Sequence, residues 1–137
     1  LVGGSGERLL RLAARHADEG NSPNPAWREL PAKREHVREI CRSIGRDPDT
    51  LEISEQVVVV VGATDDDVAR NLETARRTLA GFVQFDGDVH VGTAEQVTAV
   101  LRARRASGVD SFMVMFGDFG SDEQIELFAE RVLPGLE

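Results

Sequence analysis

The sequence is poor in cysteine and contains no long apolar run. Its only cysteine, Cys41, excludes an internal disulfide and fits a reducing compartment, so we expect a cytoplasmic protein. No stretch reaches the roughly 18 apolar residues that a membrane-spanning helix needs. The formal net charge of -8 would be repelled by a nucleic-acid backbone or an anionic membrane. We therefore expect neither nucleic acid nor a membrane as a partner.

The chain also lacks an initial methionine. Residue 1 is Leu, and the sequence from Leu1 to Gly4 is typical of the end of a strand. We interpret the chain as a fragment of a longer protein, with about 150 to 200 further residues expected upstream to complete a barrel.

Apolar patterning predicts a single domain over residues 1–137 in which helices alternate with strands. Strands are expected at 17–21, 51–61 and 111–116, the last being the clearest candidate for a buried strand. Helices are expected at about 7–18, from Pro31 to Gly45, and after Thr64, Thr93 and Ser121, with residues 82–92 irregular. Such alternation indicates an α/β fold with a parallel sheet, either half a barrel or a small open sheet.

The helical stripes define the expected core. In chain order they contain Leu9, Leu12, Ala13, Ala17, Val37, Ile40, Cys41, Ile44, Val68, Leu72, Ala75, Leu79, Val97, Val100, Leu101, Ile125, Phe128, Ala129, Val132 and Leu133. Cys41 lies on one of these stripes, which favours a packed thiol over a nucleophile.

Three segments point to a known family. Residues 1–18 read LVGGSGERLLRLAARHAD, and residues 45–48 read GRDP before LEIS and the valine strand. Residues 91–97 read VGTAEQV, 107–112 read SGVDSF and 128–134 read FAERVLP. Together they resemble the luciferase-like monooxygenase family. The resemblance implies the C-terminal half of a (β/α)₈ TIM barrel, residues 1–137 being its last four βα units.

The same resemblance implies a function. The parent protein would be a flavin- or deazaflavin-dependent oxidoreductase or monooxygenase that uses FMN or coenzyme F-420 on a small organic substrate. The family's first four strands have no counterpart here, so the catalytic residues are expected upstream and the fragment alone is expected to be inactive. Where the family often reads Ala-Asp-Gly-Trp-Asn, residues 17–21 lack the aromatic residue.

The most informative site is the turn Gly3, Gly4, Ser5 and Gly6. Glycines allow close approach of the backbone to a ligand, and free N–H groups at a helix start favour an anion. The resemblance implies that this turn binds the cofactor phosphate through unpaired N–H groups, with Arg8 either assisting or solvated. The alternative is a tight turn in which Ser5 caps the helix.

For the other polar residues, the sequence favours structural roles. Asp18, Asn21 and Asp118 lie at expected strand ends, where they either line a pocket or serve as turn residues, and the second role is favoured. The acidic run Asp65–Asp67 complements a helix dipole. The histidines His16, His36 and His90 show no metal-ligand spacing, so no metal site is expected.

Two alternative functions remain open. In the first, the chain is a non-catalytic half-barrel that folds by self-association. In the second, it is part of another phosphate-binding barrel enzyme. Half a barrel has open sheet edges, so we expect a homo-oligomer.

Overall fold

The computed structural model describes residues 1–4, 6–23, 30–85 and 89–137. Its strands are β1 (Val2–Gly3), β2 (Glu19–Pro23), β3 (Glu52–Gly62), β4 (Val89–Thr93) and β5 (Ser111–Phe116). Its α-helices are α1 (Glu7–His16), α2 (Leu30–Ser43), α3 (Asp65–Thr78), α4 (Ala94–Ala106) and α5 (Asp122–Leu127). A π-helical turn, Phe128–Val132, and a short 3₁₀ turn, Leu133–Gly135, follow α5.

The strands form a sheet in which β1, β2, β3 and β4 are successive neighbours and β5 pairs with β3. The pairings of β1 with β2, β2 with β3 and β3 with β4 are parallel. Helices alternate with the strands along the chain, so the predicted α/β class is confirmed. Among the described residues, no helix is long and apolar enough to cross a membrane.

The chain divides into two compact units, and the first comprises Leu1–Gln56 and Arg104–Met113. Its main core cluster contains Ala13, Ala14, Ala17, Val37, Ile40, Cys41 and Leu51. Cys41 is fully buried there, as predicted. Leu9 and Leu12 were expected in this core but are exposed, because α1 packs through its alanines. Small alanine side chains let a helix approach its neighbours closely, and the leucines lie outside that contact.

The second unit comprises Val57–Ala103 and Val114–Glu137. Its core cluster contains Val58, Val60, Ala75, Leu79 and Val89. The predicted start of α3 is confirmed, since Thr64 and Asp67 form a reciprocal capping box. The expectation of irregular structure over 82–92 is wrong at its end, where β4 pairs in parallel with residues 58–62 of β3.

Several residues expected in the core are exposed instead. Strand β5, expected to be buried, has no fully buried residue, and Met113 is 41% exposed. Among the described strands β5 pairs only with β3, and its side chains are partly uncovered. Five other residues expected in the core are likewise exposed: Ile44, Val100, Ile125, Ala129 and Leu133. On these helices, the face that packs against the core is narrower than the apolar stripe in the sequence.

A buried ion pair joins β3 to α4 within the first unit. Glu55 is 1% and Arg104 4% exposed, and the guanidinium Nη1 donates to Oε1 of Glu55. Sequence analysis did not identify this pair, because charged residues are normally assigned to solvent. The other carboxylate oxygen of Glu55 accepts no hydrogen bond from the described residues. The carboxylate therefore depends on Arg104 for compensation of its burial.

Replacing Arg104 with Met should destabilise the chain by about 3 to 5 kcal/mol, because it leaves the Glu55 carboxylate buried without its cation. Replacing both Glu55 and Arg104 with Met removes both charges and should cost much less. Urea denaturation of the two variants measures the difference. If the single variant is no less stable than the double variant, the buried charge is compensated in another way.

Candidate functional site

The glycine turn after β1 is tied to the neighbouring strand. Gly4 has a φ of +132°, and its N–H donates to the carbonyl oxygen of Asn21 at 3.0 Å. The expectation that the N–H groups of this turn are unpaired is therefore wrong for Gly4. A β-carbon at Gly4 would lie 2.3 Å from Cδ1 of Leu9. This glycine is required by the fold, while Ser5 lies outside the described residues.

The start of α1 is the part of the turn that remains open to a ligand. Gly6 occupies the N-cap position with a φ of -80°, and no side chain among the described residues caps the helix. The alternative in which Ser5 caps the helix falls on a residue outside the described part of the chain. The first N–H groups of a helix have no acceptor within the helix. These groups, together with the positive end of the helix dipole, suit an anion.

An acidic residue stands in the first turn of α1, but its carboxylate is engaged elsewhere. Glu7 pairs with Nε2 of His36 at 2.6 Å and with Nε of Arg11 at 2.6 Å. The hydrogen bond with His36, aided by Arg11, holds the pKa of Glu7 below its ordinary value. His36 thus joins α2 to α1 and is not a free acid–base group. Arg8 is exposed.

Asn21 is a strand residue with a buried side chain, so the favoured interpretation as a turn residue is wrong. It is 8% exposed, and Nδ2 donates to Oγ of Ser54 at 2.9 Å and lies 3.7 Å from Sδ of Met113. Strand pairing places Gly3 beside Asn21 and Asn21 beside Ser54. We name this row of three residues the β1–β3 row. Sequence analysis missed Ser54. The feature that could have identified it is a hydroxyl group within an otherwise apolar strand. Asp18 is exposed.

Gly20 takes the place of the aromatic residue that the family often has before the asparagine. A small apolar cavity of about 30 Å³ lies beside it, lined by residues that include Val2, Leu10, Ala13 and Leu51. That volume is close to the space that one water molecule requires. It is too small for a cofactor ring.

In the second unit, Asp118 stabilises its own loop. Its Oδ1 accepts hydrogen bonds from the backbone N–H groups of Gly120, at 3.0 Å, and Ser121, at 3.2 Å. Burial raises the pKa of Asp118, but the hydrogen bonds from Ser121 and Gly120 outweigh it, so the pKa lies below its ordinary value. These contacts support the favoured structural role. The neighbouring Phe119 has a φ of +63°.

The remaining candidates also have structural positions. His16 is exposed on α1, and His90 lies half-buried on β4 and not in an irregular segment. Asp65–Asp67 form the first turn of α3, as predicted. Within the described part of the chain, no group of three or more His, Cys, Asp or Glu side chains is placed to hold a metal.

The comparison with family models agrees with the arrangement of glycine turn, parallel strands and helices. The model of the luciferase-like monooxygenases matches residues 1–124. The chain belongs to the luciferase-like monooxygenase family. None of the curated protein sequences compared with this luciferase-like chain matches it.

Solved structures show the same fold at low sequence identity. A long-chain alkane monooxygenase is 20% identical with a TM-score of 0.78. A coenzyme F-420-dependent secondary alcohol dehydrogenase is 20% identical with a TM-score of 0.79. The FMN complex of the oxygenating constituent of 3,6-diketocamphane monooxygenase from Pseudomonas putida is 17% identical with a TM-score of 0.72. The matches cover 98%, 98% and 99% of this chain, respectively.

The luciferase-like chain spans less than half of each of these three structures. It covers 39% of the alkane monooxygenase and 48% of each of the other two chains. These shares agree with the expectation that the chain corresponds to part of a larger barrel.

Replacing Gly4 with Ala should destabilise the chain by about 1 to 3 kcal/mol, because a side chain is strained at this positive φ. Replacing Gly6 with Ala should cost less than about 1 kcal/mol, since only a modest N-cap preference is lost. A β-carbon at Gly6 would meet nothing within 4 Å. Thermal unfolding of both variants tests this order, and equal losses would contradict it.

The start of α1 should loosen at low pH. Because the pKa of Glu7 is lowered in the folded chain, its pairs with His36 and Arg11 stabilise the fold above the unfolded pKa. That contribution is lost as the pH falls through the folded pKa. Amide exchange in α1, compared between the unchanged chain and Glu7→Gln, measures the effect. The same acid response in both would mean that another group is responsible.

Proposed function

We propose that the chain is part of a flavin- or coenzyme F-420-dependent oxidoreductase or monooxygenase, and that its glycine turn binds the cofactor phosphate. Family membership supports the reaction class, since solved structures with this fold include an FMN complex and a coenzyme F-420-dependent dehydrogenase. The observation that carries the phosphate assignment is the uncapped start of α1 directly after Gly3–Gly6.

The geometry restricts which groups hold the phosphate. Ser5 lies outside the described residues. Gly4 N–H is bonded to Asn21, and the N–H groups of Leu9 and Leu10 donate to the carbonyl oxygen of Gly6, so the described donors proposed for the phosphate are those of Gly6, Glu7 and Arg8. Each is a backbone dipole that needs no side chain, so the site costs no side-chain entropy on binding. The carboxylate of Glu7 is paired with Arg11 and His36. Gly4 shapes the turn, whereas Gly6 is proposed to face the anion.

The cofactor supplies the redox chemistry when bound, either hydride exchange or oxygen activation beside a small organic substrate. The residues of this chain bind and position it. Gly3, Gly4, Ser5 and Gly6 are accordingly proposed as binding residues, not catalytic residues.

A second proposal concerns assembly. Strand β5 is partly uncovered, and Met113 is 41% exposed on it. Uncovered apolar strands promote pairing with another chain. We propose that the isolated chain self-associates through this strand, which is compatible with a binding role in a larger enzyme.

Replacing Gly6 with Asp should weaken FMN binding by at least about tenfold relative to Gly6→Asn, because the two side chains have nearly the same shape but only Asp places a negative charge beside the phosphate. Both residues are good N-caps, so both variants should fold as well as the unchanged chain. Flavin fluorescence titration with FMN, and with riboflavin as the phosphate-free control, measures the affinity. Riboflavin should not distinguish the two variants.

Ser5→Ala should cost about tenfold in FMN affinity, because one hydrogen bond to a charged phosphate is lost. If FMN titrates all three variants like the unchanged chain, the phosphate assignment is wrong and the turn has a structural role only.

A further inference from the structure

We propose that a second copy of this chain docks its helix α1 beside α5, so that the proposed pairing through β5 extends into the helices. The inference rests on the proposed self-association and does not depend on the phosphate site. It names the surface that each copy contributes and the charges that set their orientation.

Helix α1 has one side that packs against α2 and another side that is uncovered. Glu7 pairs with Nε2 of His36 at 2.6 Å, which directs its side of α1 towards α2. Leu9, Leu12 and His16 are exposed, and Leu12 is 46% exposed. Their spacing of three and four residues aligns them along the side of the helix opposite to Glu7. We name these three residues the α1 side.

Helix α5 and the π-helical turn that follows it also have an uncovered side. The ion pairs of Glu123 with Arg70 and of Arg131 with Glu95 attach this segment to α3 and α4. The uncovered row, which we name the α5 side, consists of three exposed apolar residues: Ile125, Ala129 and Leu133. These residues are four apart. A π-helical turn rotates less per residue than an α-helix, so Leu133 stays in line with the other two.

The two sides carry opposite charges along their solvent edges. Arg8 and Arg15 are exposed on α1, and Glu126 and Glu130 are exposed next to the α5 side. None of these four residues forms an ion pair within the described part of the chain. Because the net charge of -8 makes whole copies repel each other, association needs a local match of this kind. The match favours a second copy of this chain as the partner.

Strand pairing explains why these two helices would meet. Among the strands that the structure describes, β5 pairs only with β3 and β1 only with β2, so each has an open edge. In a right-handed βα arrangement a helix packs beside the strand that it follows. Pairing β1 of one copy with β5 of the other therefore brings α1 next to α5. Made in both directions, this contact combines β1, β2, β3 and β5 of each copy into the eight strands of a closed barrel.

The pairing of charges follows from the direction of the helices. Both helices follow parallel strands, so they run the same way. Arg15 is the ninth residue of α1, and Glu130 is the ninth residue counted from the start of α5. We therefore expect these two side chains to meet. Exposed ion pairs add little to affinity, so the apolar rows supply most of the binding and the charges select the orientation.

Charge reversal tests the contact. Arg15→Glu should raise the dissociation constant of the dimer at least about tenfold, because carboxylates then face each other at both contacts. Glu130→Arg should have the same effect through opposed guanidinium groups. Arg76→Glu is the matched control, since Arg76 is exposed in the last turn of α3 as Arg15 is in the last turn of α1. It changes the net charge equally and should alter the constant by less than about threefold. Sedimentation equilibrium measures all three variants.

Mixing the two variants gives the sharper result. In a dimer of one Arg15→Glu copy and one Glu130→Arg copy, opposite charges face each other at both contacts. The mixture should therefore associate as tightly as the unchanged chain, to within about threefold, although each variant alone associates weakly. A contact within a single chain could not produce this rescue.

Leu12→Gln tests the apolar part of the contact without changing a charge. Leu12 is already exposed in the single chain, so the variant should fold like the unchanged chain. The dimer should weaken about tenfold, because two leucines lose their burial, one at each contact. Thermal unfolding at a concentration at which both proteins are monomeric checks the fold.

The proposals fail in different ways. The helix contact is wrong if Arg15→Glu weakens association no more than Arg76→Glu, or if the mixture associates no more tightly than its components. Self-association of the unchanged chain would then still support pairing through β5. A monomeric unchanged chain at its highest soluble concentration would overturn both assembly proposals. Species heavier than a dimer would show that the contact does not close, which contradicts the arrangement of two copies. The FMN and riboflavin titrations test the phosphate site separately.

Discussion

The hydrogen bond from Gly4 N–H to the carbonyl oxygen of Asn21 is the constraint on which the site depends. It extends the pairing of β1 and β2 by one residue beyond the end of β1, and it fixes the direction in which the chain enters α1. Gly4 reaches this bond at a φ of +132°, a conformation that other residues rarely adopt. The same bond removes one donor from the turn and leaves the donors of the helix start. It also holds the backbone of Asn21 beside them.

Strand β3 shows how a largely apolar strand accommodates polar residues. Successive side chains of a strand point to opposite faces, so the neighbours Ser54 and Glu55 meet different partners. Ser54 accepts from Asn21, and Glu55 pairs with Arg104. Burial without partners would cost each group several kcal/mol or, for the carboxylate, more. The two contacts therefore differ in purpose: one orients an amide at the candidate site, and the other attaches α4 to the strand.

Membership of the luciferase-like family accounts for the fold and supports the proposed reaction class. It does not show which residues bind a cofactor. The three solved structures described above are at most 20% identical to this chain, and more than half of each lies outside the matched part. The role proposed for Gly6 consequently rests on hydrogen bonds and exposed donors in this chain, and not on the names of its relatives. The absence of an aromatic residue at Gly20 also separates it from the common family pattern.

The sequence by itself determined the α/β class, the positions of most elements, the capping of α3 by Thr64 and the location of the glycine turn, because periodicity, N-caps and glycines act over a few residues. It could not show that β5 is partly uncovered or that Leu9 and Leu12 point away from the core, since apolar stripes do not state which side packs. Nor could it reveal Ser54 as the partner of Asn21, or Arg104 as the partner of Glu55. Those pairs are 33 and 49 residues apart in the chain. Only tertiary structure brings them within hydrogen-bond distance, because strand register and helix packing, and not local preference, decide which distant residues meet.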